Sequence, residues 1–184
     1  PVTITARDGL ALHGYITYPP GSKRRNLPLV LRVHGGPWTR DYWGYNAEAQ
    51  WLANRGYVCL QVDYRGSWGY GKEFSNAGDR QWGAAMQDDL TDAVRWAIGE
   101  GIADQKKIAI MGASYGGYAA LMGLATTPDL YACGIDVSGP SNLREWVASQ
   151  SSRWGLSVSA LYRRVGHPET NAELLKARSP LFKA

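Results

Sequence analysis

The chain has 184 residues, enough for one domain with a substantial core, and its 45% hydrophobic content is ordinary for a globular protein. Its formal net charge of +4 is too small and too scattered for a nucleic-acid surface. Two cysteines in separate apolar segments suggest neither a disulfide framework nor a metal site, and no apolar run is long enough to span a bilayer.

Pro1 reads as an internal position of a longer chain. Val2 to Ala6 and Leu10 to Tyr18 alternate with period two around Asp8-Gly9. That pattern predicts a β-hairpin with a tight two-residue turn. Leu10, Leu12, Ile16 and Tyr18 share one face. His13 falls on the other with Tyr15 and Thr17, and reads as a surface residue of an edge strand. Residues 19–28 form a turn-rich connector whose cluster Lys23-Arg24-Arg25 reads as solvated.

Leu29 to Val33 is the first core strand and runs straight into His34-Gly35-Gly36-Pro37. Helical spacing from Asn46 to Arg55 puts Trp51 and Leu52 on the apolar side, with Gly56 as a left-handed cap. Tyr57 to Val62 is the next strand, followed by the loop Asp63-Tyr-Arg-Gly-Ser-Trp-Gly-Tyr-Gly71. Met86, Leu90, Ala93, Val94, Ala97 and Ile98 mark an amphipathic helix. Asp88 and Asp89 sit in its early turns, where the helix dipole favours acids. Lys107 to Met111 is a buried strand, Gly117 to Ala125 a small-residue helix closed by Pro128, and Cys133 to Val137 a further strand. Asn142 with Glu145, and Thr170 with Glu173, predict capping boxes for two later helices. Strands alternating with helices define an α/β fold: a mostly parallel sheet flanked by helices, with an N-terminal β-hairpin.

The chemistry centres on Gly112-Ala113-Ser114-Tyr115-Gly116. A strand, a G-x-S-x-G turn and a helix form the nucleophile elbow of the α/β-hydrolases. A turn this sharp brings backbones together, and glycines two before and two after Ser114 remove the Cβ atoms that would collide. Ser114 is the candidate nucleophile. Acyl transfer also needs two N–H donors where charge develops on the carbonyl oxygen. In this fold one is the residue after the nucleophile, here Tyr115. The other comes from the loop after the first core strand, where Gly36 is chosen because Pro37 has no N–H.

Two further patterns are weaker. Gly66-Ser-Trp-Gly-Tyr-Gly71-Lys72 matches seven positions of a phosphate-binding loop, but Glu73 stands where a metal-binding hydroxyl belongs, so nucleotide binding is rejected. After Ser114 the one histidine is His167, with Asp129, Asp136 and Glu145 before it. Ser114–Asp136–His167 has the chain order of a triad. But His167 falls between helical segments rather than after a further strand, and reads as a surface or lid residue.

His34-Gly-Gly-Pro37, Asp63-Tyr-Arg-Gly-Ser-Trp-Gly-Tyr-Gly71 and Gly112-Ala-Ser-Tyr-Gly-Gly-Tyr118, in that order, resemble the catalytic domain of prolyl oligopeptidase family serine peptidases. The branch it most resembles holds the acylaminoacyl and dipeptidyl peptidases. The closing Arg178-Ser-Pro-Leu181 is similar to a segment that precedes the family's seventh sheet strand. The resemblance implies a serine peptidase acting on short peptides through an acyl-enzyme on Ser114, with Gly36 and Tyr115 as oxyanion donors and no cofactor. It implies that residues 1–184 are the N-terminal portion of the catalytic domain, a partial α/β-hydrolase fold. The triad Asp and His would then lie beyond Ala184, and a β-propeller would precede residue 1. No nucleic acid, membrane or metal partner is expected; an oligomer is compatible with the chain. A serine esterase of the same fold and a non-catalytic hydrolase fragment are the competing expectations.

Overall fold

The computed structural model describes residues 1–150 and 157–183. Six strands build one sheet: β1 (Val2–Thr5), β2 (Ala11–Thr17), β3 (Leu27–Val33), β4 (Val58–Asp63), β5 (Ala103–Ala113) and β6 (Cys133–Val137). Their order across the sheet is β1-β2-β4-β3-β5-β6. β4, β3, β5 and β6 run parallel, and the hairpin β1–β2 joins antiparallel through β2 to β4. The described helices are α1 (Ala47–Asn54), α2 (Gly71–Asn76), α3 (Ala85–Gly99), α4 (Tyr115–Thr126), α5 (Leu143–Ser149), α6 (Val158–Arg164) and α7 (Ala172–Ala177).

Period-two alternation sorts the strand side chains into two cores, as expected for parallel strands covered on both faces. Leu29, Leu31, Val33, Leu60, Val62, Ile108 and Ile110 pack with Met86, Leu90 and Val94 of α3 and with Tyr118 and Met122 of α4. On the opposite face, Val30 and Cys59 pack with Ala49 and Leu52 of α1. Leu52 is buried there while Trp51 is exposed, with the Arg55 guanidinium over its ring at 4.2 Å. Each of the four expected core strands is present, and β5 reaches back to Ala103.

The hairpin departs from expectation in two ways. Thr5 pairs with Ala11, and the Gly9 amide donates to the Ala6 carbonyl, so the loop is Arg7-Asp8-Gly9. That is a three-residue connection, with Gly9 in the left-handed region at φ 88°. Nor is β2 an edge strand, because β4 occupies its second side. His13 is therefore half-buried, its ring stacked on Tyr70 at 4.4 Å. The outer strand is β1, which the pattern of β2 alone could not reveal.

Helix caps follow local chemistry. Asn46 accepts from the Ala49 amide, and Asn142 accepts from the Glu145 amide, as the capping-box pattern predicts. Thr170 does not cap α7. Asn171 takes the cap position, and its side chain turns instead to accept from the His167 amide at 2.9 Å. Helix α6, capped by Ser157, and the six-residue α2 are not anticipated by periodicity, since each is too short to carry an apolar repeat.

One ion-pair group ties the hairpin to the loop after β4 and to α3. The Arg65 guanidinium donates to both carboxylate oxygens of Asp89, at 2.8 and 2.7 Å, and to Asp8 in the hairpin turn at 2.7 Å. The Arg65 amide also donates to Asp89, which has no exposed surface. This is the buried fork geometry in which arginine recognises carboxylates. Removing one partner strands the other charge in the interior. Asp89→Ala is expected to lower unfolding free energy by about 3–5 kcal/mol, measured by urea denaturation.

Cys59 in β4 and Cys133 in β6 are both free thiols with two strands between them. Three strand spacings of about 4.8 Å put them well outside disulfide reach. Burial pushes the Cys59 thiol up to about 12, whereas Cys133 is exposed. A thiolate is the reactive form. An aromatic disulfide reagent should therefore titrate one thiol in the native 184-residue chain and two in denaturant.

Candidate active site

Ser114 sits between the end of β5 and the start of α4 with φ 55° and ψ −118°. A side-chain-bearing residue held there costs about 1–3 kcal/mol unless its surroundings over-determine it. They do. The Ser114 amide donates to Val137 O at 2.8 Å, fixing the turn to the end of β6. Its carbonyl accepts from the Tyr118 amide at 3.0 Å, opening the helix. A Cβ on Gly112 would lie 2.6 Å from both Val33 O and Gly116 Cα, and one on Gly116 would collide with Val33 O. The two flanking glycines thus let helix, strand and neighbouring strand meet at one point. Ser114 is left exposed, and among the described residues its hydroxyl has no hydrogen-bond partner.

The His34–Pro37 loop leaves the end of β3 and lies against this turn. A Cβ on Gly35 would stand 3.6 Å from Ser114 Cβ and 3.0 Å from Ala113 O. Gly36 has φ 114°, a conformation that favours glycine, and its Cβ would press on the Trp38 amide at 2.8 Å. Among the described residues neither the Gly36 N–H nor the Tyr115 N–H donates to a protein acceptor. The Tyr115 N–H is one of the free donors that every helix N-terminus presents. The Ser114 hydroxyl and the free Gly36 and Tyr115 N–H groups thus belong to two backbone segments in contact.

Beneath them lies a polar and aromatic layer that sequence reasoning missed. His34 is buried, with Nδ1 2.8 Å from Gly35 O and Nε2 3.0 Å from Ser67 Oγ. Burial lowers the imidazole pKa, so the ring is held neutral. Its face stacks on Tyr64 at 4.4 Å, and Tyr64 in turn stacks on Tyr115 at 5.0 Å. The Tyr64 hydroxyl donates to His34 O at 2.9 Å. Asp63 accepts from the Asp41 amide at 2.8 Å and from the Tyr70 hydroxyl at 2.6 Å. Asp41 itself accepts from Arg32 and Gln61. The available signal was position: Asp63 ends β4, and Tyr64 and Ser67 follow it, at the same sheet edge as His34 after β3. The segment considered for phosphates serves this layer, with Ser67 fully buried and its hydroxyl 2.7 Å from Tyr64 O.

His167 and Asp136 are each engaged locally. His167 Nδ1 accepts from the Glu169 and Thr170 amides at 3.1 and 3.3 Å, and its ring meets Tyr162 edge-on at 4.5 Å. Asp136 accepts from the Gly139 amide at 2.7 Å, closing its own loop. Neither contacts the Ser114 hydroxyl among the described residues.

A mostly parallel sheet between helices, with a strained serine at the strand–helix turn, defines an α/β-hydrolase fold. The chain belongs to the prolyl oligopeptidase family, whose match covers residues 43–184. It is 49% identical, over its whole length, to dipeptidyl aminopeptidase BIII of Pseudoxanthomonas mexicana, and spans 28% of that protein. Identity is 39% with dipeptidyl peptidase family member 6 of Caenorhabditis elegans, covering 97% of this chain and 27% of the relative. The acylaminoacyl peptidase of Pyrococcus horikoshii superposes with a TM-score of 0.86 at 28% identity, over 99% of this chain and 29% of that one. The chain thus spans a little over a quarter of the length of these relatives.

The crowding at the turn has a direct test. Gly116→Ala should destabilise the fold by about 3 kcal/mol or more, because backbone atoms cannot yield as a side chain does. Gly99→Ala, where a Cβ meets nothing within 4 Å, is the control and should be neutral or slightly stabilising in the same thermal melts.

Proposed function

We propose that the protein carrying this chain is a serine peptidase that hydrolyses short peptides through an acyl-enzyme on Ser114. The observation that carries the reading is the exposed Ser114 hydroxyl on a strained turn, packed against a loop that contributes a free N–H. The names of the relatives, dipeptidyl and acylaminoacyl peptidases, support a short peptide as substrate.

In this reading Ser114 Oγ attacks the scissile carbonyl carbon while a histidine takes its proton. The oxygen of the tetrahedral intermediate accepts from the Gly36 and Tyr115 N–H groups. Loss of one such donor typically costs about 3–4 kcal/mol of barrier. Collapse releases the amine, which takes the proton from the histidine, and water then cleaves the ester by the same steps in reverse.

The acid and base of the triad come, in this proposal, from sequence outside residues 1–184. Two observations support that. His167 Nδ1 and Asp136 are committed to their own loops. The chain also spans only 28% of its 49%-identical relative. Residues 1–184 are then the N-terminal portion of the catalytic domain, and a β-propeller elsewhere in the protein limits substrate size.

The test compares the 184-residue chain with the full-length protein on an aminoacyl-p-nitroanilide and a fluorophosphonate label. Full-length protein is expected to turn over and to label. Ser114→Ala should abolish labelling and lower kcat on the order of 10⁶-fold. The isolated chain should be almost inactive, because an unassisted serine hydroxyl is a weak nucleophile. Strong turnover by the isolated chain, lost in His167→Ala, would show an internal triad instead. Cleavage of p-nitrophenyl esters without cleavage of any anilide would replace the peptidase by an esterase.

A further inference from the structure

Helix α1 packs on β3 and β4 through Ala49 and Leu52 against Val30 and Cys59. Beside that contact Tyr15 and Thr17 of β2 pair with Gln61 and Cys59 of β4, so all four side chains point to the same face of the sheet. A groove of about 570 Å³ opens there, between β2, the start of α1 and residues 42–45.

The walls of the groove are aromatic. Tyr42, Trp43 and Tyr45 are 64%, 74% and 85% exposed within one short loop, and Trp43 meets Tyr15 across the groove at a ring distance of 5.9 Å. Clustered exposed apolar surface of this kind marks an interaction site. The charge at the groove has one sign. Arg24 lines it with its guanidinium over Tyr18 at 5.0 Å, and Arg40 stands over Tyr42 at 4.7 Å. Among the described residues neither arginine has a carboxylate partner, and no Asp or Glu lines the groove.

The floor holds one buried amide. Gln61 is 4% exposed, and its Nε2 donates to Asp41 Oδ1 at 2.8 Å. A carboxylate only accepts, so the NH₂ end is fixed toward Asp41 and the oxygen is the free end. Among the described residues Gln61 Oε1 has no partner, and it is not sealed from solvent. It therefore opens into the groove that Gln61 lines.

We propose that this groove is a binding site for an extended, acidic peptide segment of another molecule. Its carboxylates meet Arg24 and Arg40, its rings and apolar side chains pack on Tyr42, Trp43 and Tyr45, and a backbone N–H donates to Gln61 Oε1. An extended chain has such N–H groups free, whereas a helix spends them internally, and aromatic-lined grooves take proline-containing extended segments in this way. A second copy of this chain would set each arginine against its own counterpart. A carbohydrate would supply donors but leave both guanidinium groups unpaired. Ser114 follows β5, and β4 and β3 lie between β5 and β2. Three strand spacings, about 14 Å, therefore separate this site from the nucleophile. A polypeptide held here leaves Ser114 unoccupied.

The test uses full-length protein carrying Ser114→Ala, so that the probe is not consumed. The probe is a fluorescein-labelled, N-acetylated peptide of alternating glutamate and proline, followed by fluorescence anisotropy. It is expected to bind, with an affinity that falls about fivefold or more when the sodium chloride concentration is raised tenfold. Trp43→Ala and Arg24→Glu should each weaken binding about tenfold or more, as should replacing glutamate by glutamine in the peptide. With Ser114 restored, both variants should keep kcat and KM on the anilide within about twofold of wild type. Both side chains are exposed, and thermal melts establish that the variants are folded. Absence of binding at about 1 mM peptide overturns the proposal. Equal affinity in either folded variant, as binding near Ser114 would give, overturns it as well, and so does equal affinity for the glutamine peptide. Self-association that Trp43→Ala abolishes would assign the groove to a second copy. A melting temperature lowered by Trp43→Ala, with no peptide bound, would assign it to another part of the same polypeptide. Either result replaces the acidic peptide, and none of these outcomes bears on the role of Ser114.

Discussion

Everything at the candidate site depends on how closely three backbones approach one another. The end of β3, the end of β5 and the first turn of α4 meet with no Cβ between them, at Gly112, Gly116 and the Val33 carbonyl. That approach forces Ser114 into a left-handed φ and leaves the first N–H groups of α4 unpaired. Strain and open donors are thus two results of one packing constraint. The cores on both faces of the sheet supply the energy that holds the turn in place, since burying each large aliphatic side chain contributes about 1.5–3 kcal/mol.

The site also shows a division between atoms that face solvent and atoms that hold them. Ser114 is exposed, whereas His34, Tyr64, Ser67 and Asp63 are buried and hydrogen-bonded. Buried polar groups of this kind are stable only when satisfied, and a satisfied network fixes a single arrangement. Precision at the surface of the loop therefore comes from the layer beneath it. The Arg65–Asp89–Asp8 group extends the same layer outward to the hairpin, so β1 and β2 brace the loop after β4.

The sequence made the parallel core legible because its signals are local and redundant. Apolar runs at β3, β4 and β5, the period of α3, and the Asn142 cap each describe their own element. Ser114 was legible for the same reason, as its two glycines sit within five residues. What stayed hidden depends on distant partners. His13 looked like a surface residue because nothing in its own strand announces that β4 lies beside it. His34 was assigned to its loop only as a member of a Gly-rich motif, since Ser67 stands 33 residues away. Thr170 failed as a cap because Asn171, one position later, was already at the start of the helix.

The Tyr118 hydroxyl donates to Arg178 O at 2.8 Å, and the Arg178 guanidinium donates to Gly83 O at 2.9 Å. Three segments separated by 60 and 95 positions along the chain are knotted at the foot of α4. On a ribosome, where polypeptide emerges at about 5–20 residues per second, Tyr118 appears several seconds before Arg178. During that interval the Tyr118 hydroxyl lacks its Arg178 acceptor, and contacts of such wide separation form late in any case. The corner at the foot of α4 is therefore closed only after residues well downstream of the serine turn have been made. That corner is a property of the folded segment and is absent while the segment is still emerging.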